Sequence, residues 1–172
     1  MTVHLRARNS GDVGVLYEAF TDLAAWEERS PAPPRAVSRA EFERRLADGA
    51  YDTDASFVVE SDGVAVGRCG LMHEDPLARS AEVGIALVAA ARGRGVGTEA
   101  LRQLVEFAFV RRNLRRLHLT VIASNATAIS SYHRVGFVDE GRRREACWVR
   151  GRYEDEVLMG LLRADWAAAR DQ

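Results

Sequence analysis

Residues 85–98 read Ile85-Ala86-Leu87-Val88-Ala89-Ala90-Ala91-Arg92-Gly93-Arg94-Gly95-Val96-Gly97-Thr98. An apolar strand-like run ends, a loop holds three glycines and two arginines, and a helical period starts at once. Glycine lets a backbone turn tightly and approach a ligand with no side chain in the way. The first turn of the following helix offers N–H groups without intrahelical partners and a partial positive charge. Together these features make a seat for an anion such as a pyrophosphate. Arg92 and Arg94 add charge and directional donors.

The loop alone leaves three readings open. It can be a strand–helix turn with no ligand. It can be a dinucleotide turn, but that motif is G-x-G-x-x-G and opens the first βαβ unit. Here the spacing is G-x-G-x-G, and two expected helices and several strands precede it. The third reading is a seat for the pyrophosphate of coenzyme A.

Working outward, Ala81–Val88 is expected as a central strand, and Thr98–Val110 carries a helical period through Leu101, Leu104, Val105 and Ala108. Upstream, Val3–Arg8 alternates as a strand, and Asn9–Asp12 is turn and cap chemistry. Val13, Leu16, Tyr17, Phe20 and Leu23 then recur at helical spacing. Pro31, Pro33 and Pro34 are expected to break that helix. Ser38 and Glu41 match a capping box, which predicts a helix to about Ala47. Ala55–Glu60 and Val64–Met72 read as a hairpin turning at Asp62-Gly63. Downstream, Arg116–Ile122 alternates as a strand, and Asn125 caps a short helix ended by Gly136. Phe137–Val149 and Tyr153–Leu162 read as two strands. The expectation is one α/β (α+β) domain over residues 1–172, with a mixed twisted sheet of about seven strands and about four helices.

The composition narrows the chemistry. All 24 basic residues other than histidine are arginine, and lysine is absent. This excludes Schiff-base lysine enzymes and P-loop nucleotide triphosphatases. The net charge of −1 conceals an uneven distribution. Residues 1–91 carry 9 arginines against 15 acids, and residues 92–152 carry 13 against 5. The basic middle suits a polyanion and the acidic first half suits a cation. No apolar run has membrane-spanning length, and the N-terminus lacks the apolar core of a secretory signal. Two cysteines make no disulfide framework and no metal motif, so no metal is expected. The expected setting is cytoplasmic, with no membrane or nucleic-acid partner.

Two motifs together give a family resemblance. Arg92-Gly93-Arg94-Gly95-Val96-Gly97 resembles the R/Q-x-x-G-x-G/A signature of the GNAT superfamily of acyl-CoA-dependent N-acetyltransferases. Asn125-Ala126-Thr127-Ala128-Ile129-Ser130-Ser131-Tyr132-His133-Arg134-Val135-Gly136-Phe137 resembles the family's N-x-x-A-I-x-x-Y-x-x-x-G-F segment. The C-terminal stretch GRYEDEVLMGLL is similar to the last strand of the branch holding ribosomal-protein N-terminal and spermidine-type acetyltransferases.

The resemblance implies acetyl-CoA as co-substrate and a primary amine as acceptor: a peptide N-terminus, a polyamine or an aminoglycoside-like molecule. It implies that backbone groups of Ile85, Ala86 and Leu87 pair with the pantetheine arm, with an N–H near Leu87 facing the oxyanion. Arg92, Gly93, Arg94, Gly95, Val96, Gly97 and Thr98 then hold the pyrophosphate. Tyr132 takes the position of the family's general acid, and Asn125 that of a polar cofactor contact, although Asn125 also suits a plain N-cap. Glu82 is the candidate base, with His73 and Glu74 behind it; a solvent-facing strand end is the other reading of Glu82. Asp155 supports either the acceptor site or a turn. Trp26, Glu27, Glu28 and Arg29 are expected near the acceptor. Dimers are frequent in the family, which leaves a homodimer open. The rival functions are a non-catalytic acyl-CoA-binding regulatory module and a nucleic-acid-binding domain using the basic middle.

Overall fold

Seven alternating stretches hydrogen-bond into a single sheet in the computed structural model, which describes residues 1–29, 35–49 and 53–170. The strands are β1 (Val3–Arg6), β2 (Ala55–Ser61), β3 (Val64–Asp75), β4 (Ser80–Leu87), β5 (Arg116–Ile122), β6 (Val138–Val149) and β7 (Arg152–Leu162). Their order is β1-β2-β3-β4-β5-β7-β6, antiparallel throughout except for the parallel pair β4–β5. The expected proline loop at Pro31, Pro33 and Pro34 lies outside the described residues.

The helices are α1 (Val13–Thr21), α2 (Leu23–Arg29), α3 (Arg39–Ala47), α4 (Val96–Glu106), α5 (Ala126–Val135) and α6 (Arg163–Arg170). This makes six among the described residues, against the expected four. One difference is a break at Asp22, whose extended ψ of 95° ends α1 and starts α2. The other is α6, a short helix anchored by Trp166 against Phe109.

Strand alternation sorts the side chains. Val59, Cys69, Leu71, Ala81, Val83, Leu117, Leu119 and Met159 are buried together with Leu101, Leu104 and Val105 of α4 and Tyr132 and Val135 of α5. Each large apolar side chain removed from water here contributes about 1.5–3 kcal/mol. The alternate positions face the other way, and Val58 lies beside Leu16 of α1 and Leu46 of α3. That second face carries a smaller core of Leu16, Val37, Phe42 and Leu46.

The parallel pair is what prepares a site. β4 and β5 pair only over Ser80–Glu82 and Arg116–His118. Beyond Glu82 the two strands diverge into a fork, while β4 stays paired with β3 as far as Leu87.

Candidate active site

The fork opens onto a cleft of about 760 Å³ between the end of β4, the glycine loop, α4 and α5. Val88 N–H donates to Val66 O on the β3 side, at 2.9 Å. Strand alternation therefore turns the backbone groups of Ile85 and Leu87 the opposite way, into the gap where β5 has departed. Ile85, Ala86 and Leu87 all line the cleft.

At the far end of β4 the chain reverses through Gly93 (φ 70°) and Gly95 (φ 85°), a left-handed conformation that side chains rarely adopt. Gly95 precedes α4 directly, no side chain caps this helix, and its first main-chain bond runs from Glu99 N to Gly95 O. The N–H groups of Val96, Gly97 and Thr98 thus have no partner within the helix. Gly93, Gly95, Gly97 and Thr98 line the cleft. Val96 points its side chain into the core at 3% exposure, so only its backbone is available. Arg94 is exposed and is not a lining residue.

Arg92 lines the cleft, but its guanidinium is engaged. Nε and Nη2 donate to Leu87 O at 2.9 and 2.7 Å, and Nη2 also donates to Asp22 Oδ2 at 2.8 Å. Arg134 on the facing helix also lines the cleft, and its guanidinium makes no hydrogen bond or ion pair among the described residues.

Helix α5 forms the other wall. The Asn125 side chain accepts from Ala128 N at 3.1 Å, so it is the N-cap, and the residue also lines the cleft. Gly136, at φ 109°, ends the helix. Between them Tyr132 packs its ring edge-on to Phe137 at 5.9 Å and is only 8% exposed. Its hydroxyl has no hydrogen-bond partner among the described residues, and burial pushes the phenol up to about 12. A proton donor is therefore held protonated at neutral pH in the wall of the cleft.

Glu82 stands apart. It is the last β4 residue paired with β5, opposite His118, at the vertex of the fork, and it does not line the cleft. Alternation puts its side chain on the face opposite Val83 and Ile85. Its Oε2 lies 2.9 Å from His73 Nδ1. The other titratable side chains nearby have structural partners. Glu74 pairs with Arg112 at 2.8 Å, and His133 contacts Phe137 O and Asp139. Asp155 accepts from Glu145 N at 2.9 Å and pairs with Arg142, which ties down the irregular stretch of β6. Both cysteines are buried and free, and burial pushes the Cys69 thiol up to about 12, so it is no nucleophile. Among the described residues no group of His, Cys, Asp and Glu is placed to hold a metal.

Sequence reading missed Ala25, Thr127, Ser130, Ser131 and Arg134, all of which line the cleft. The spacing of Thr127 with Ser131, and of Ser130 with Arg134, is one helical turn and could have marked a polar face of α5.

The family described as acetyltransferase (GNAT) domain matches residues 2–138. The chain belongs to the GNAT acetyltransferase family. Among its GNAT relatives, YdaF of Bacillus subtilis, which carries the name of a ribosomal N-acetyltransferase, is 31% identical over 61% of this chain and 57% of its own. The spermidine N(1)-acetyltransferase of Escherichia coli K12 is 29% identical over 67% of this chain and 62% of its own. The matched region thus spans less than two thirds of the length of these two relatives. The spermidine N(1)-acetyltransferase of Vibrio cholerae is 26% identical over 94% of both chains. A crystal structure of the Vibrio cholerae spermidine N-acetyltransferase in complex with CoA and spermine superposes with a TM-score of 0.84, covering 96% of this chain and 98% of that one, at 26% identity. Among the described residues of this GNAT chain no helix is long and apolar enough to cross a membrane.

Proposed function

We propose that this chain acts as one acetyltransferase unit, moving an acetyl group from acetyl-CoA to a cationic primary amine, with polyamines the first class to test. One observation carries the reading: the β4–β5 fork opens directly onto the glycine loop, with a buried, protonated Tyr132 in its wall. The residues fit the coenzyme. The gap-facing groups of Ile85 suit an extended amide-bearing arm, the Leu87 N–H faces the same gap while Leu87 O is held by Arg92, and the N–H row of Val96–Thr98, without partners inside the helix, suits a pyrophosphate. Arg134 and Arg94, whose side chains have no partner among the described residues, add cationic donors at the cleft and beside it. Relatives named for spermidine and the neighbour bound to CoA and spermine support the amine class. The relatives described above are N-acetyltransferases by name and lend no support to a non-catalytic module. A cytoplasmic setting suits a reaction that draws on acetyl-CoA.

Acetyl-CoA, when bound, supplies a thioester carbonyl and a thiolate leaving group. Around it the chain's own groups divide the work. Glu82, from the opposite face at the vertex, takes a proton from the amine through water. The amine nitrogen then forms the C–N bond and gives its second proton to water. The Leu87 N–H meets the carbonyl oxygen as it gains charge. As the C–S bond breaks, Tyr132 Oη gives its proton to sulfur and is reprotonated from solvent after release. The test is a panel of amines with acetyl-CoA, read by free-thiol release. Spermidine or spermine should turn over. Coenzyme A binding without thiol release from any primary amine would overturn the proposal.

A further inference from the structure

We infer that Asp22 is a positioning residue. Through Arg92 it ties α2, which sets Ala25 in the cleft wall and carries Trp26 and Glu27, the residues the resemblance assigns to the acceptor, to the strand end that receives the coenzyme arm. The inference rests on the acetyl-transfer reading above. Asp22 occupies the corner between α1 and α2. Its Oδ1 accepts from Ala25 N at 3.1 Å, and Trp26 N donates to its carbonyl at 2.8 Å, so it fixes the start of α2. Its Oδ2 accepts from Arg92 Nη2 at 2.8 Å, and the same guanidinium holds Leu87 O through two bonds. Ala25 is buried and lines the cleft. Beyond it, Glu27 reaches Arg150 in the β6–β7 turn at 3.8 Å, so α2 crosses from the glycine loop to that hairpin.

A guanidinium is a rigid planar fork. It holds Leu87 O and Asp22 together only while the end of β4 and the α1–α2 corner keep one relative geometry. Leu87 faces the gap meant for the coenzyme, so a change there is passed to α2, and a change in α2 is passed back. The side chains of Asp22 and Arg92 are 26% and 36% exposed, so the pair adds little to global stability. Its effect lies in where it puts α2.

Asp22→Asn keeps a capping oxygen and removes the charge. The expected result is an amine KM raised about five- to tenfold, with kcat, coenzyme A affinity and Tm near wild type. In an Arg92→Gln background the same change should add no further loss, because the two residues act as one unit. An independent arm uses Trp26 as reporter in a Trp148→Phe/Trp166→Phe chain. Coenzyme A should shift its emission, and Asp22→Asn should abolish the shift although coenzyme A still binds. An unchanged amine KM, a parallel fall in Tm and coenzyme affinity, or a Trp26 response that survives Asp22→Asn would overturn the inference. If the wild type binds coenzyme A and acetylates no amine, the acetyl-transfer reading fails, and the Trp26 arm still decides whether the tie exists.

Discussion

Tyr132 owes its candidacy to two physical facts: a wall position in the cleft and a proton held by burial. An ordinary phenol ionises near 10, and this one is pushed up to about 12. The raised value means that the acid form persists through the whole neutral and mildly alkaline range. In a spectroscopic tyrosinate titration, the difference between wild type and Tyr132→Phe should therefore appear only above pH 11 or so. Tyr132→Phe should lower kcat on the order of a hundredfold while coenzyme A affinity stays within about twofold. A normal kcat would remove the residue from its role. Asp12 offers a residue-scale test of stability. The Arg6 guanidinium, bonded to both its oxygens at 2.8 Å, and the Asn9 N–H hold its carboxyl below the usual 3.8. Its folded pKa lies below its unfolded one, so its contribution is full above pH 4 or so and is lost as pH falls through the folded value. Asp12→Asn should cost about 2 kcal/mol in denaturant unfolding at pH 7, and the difference should shrink in that acid window.

At the scale of elements, the glycine loop and the start of α4 act as a unit. Gly95→Glu would place a carboxylate on a left-handed backbone in front of an unpaired N–H row. Calorimetry should detect no coenzyme A binding, and wild-type affinity would show that the loop holds no phosphate. Much of this was readable locally. The hairpin at Asp62-Gly63, the Ser38 and Asn125 caps and the glycine order each depend on neighbours a few positions away. What escaped depends on distant partners. The helical period runs unbroken across Asp22, but Arg92, seventy positions on, holds that corner. Helix α6 is only eight residues long and has one large apolar anchor, Trp166, whose partner Phe109 lies in another element. The sequence placed Glu82 on the central strand; only the pairing limit with β5 puts it at the vertex, away from the cleft.

Across the whole molecule, the basic middle of the chain contributes the glycine loop and α5, so part of the charge asymmetry of the sequence reaches the cleft, as Arg92 and Arg134. Exposed charges are screened within about 8 Å at physiological salt. The KM for acetyl-CoA should therefore rise several-fold between low and high salt in steady-state assays, and a salt-independent KM would mean that backbone contacts alone hold the phosphates. The fork between β4 and β5 also reaches beyond catalysis. A sheet that stops pairing halfway along a strand leaves main-chain groups that a bound ligand can pair, and whatever binds the folded chain alone adds to its stability, about 2.7 kcal/mol at a hundred times Kd. On the proposed reading, the resistance of this protein to unfolding and proteolysis should rise and fall with the acyl-coenzyme pool around it.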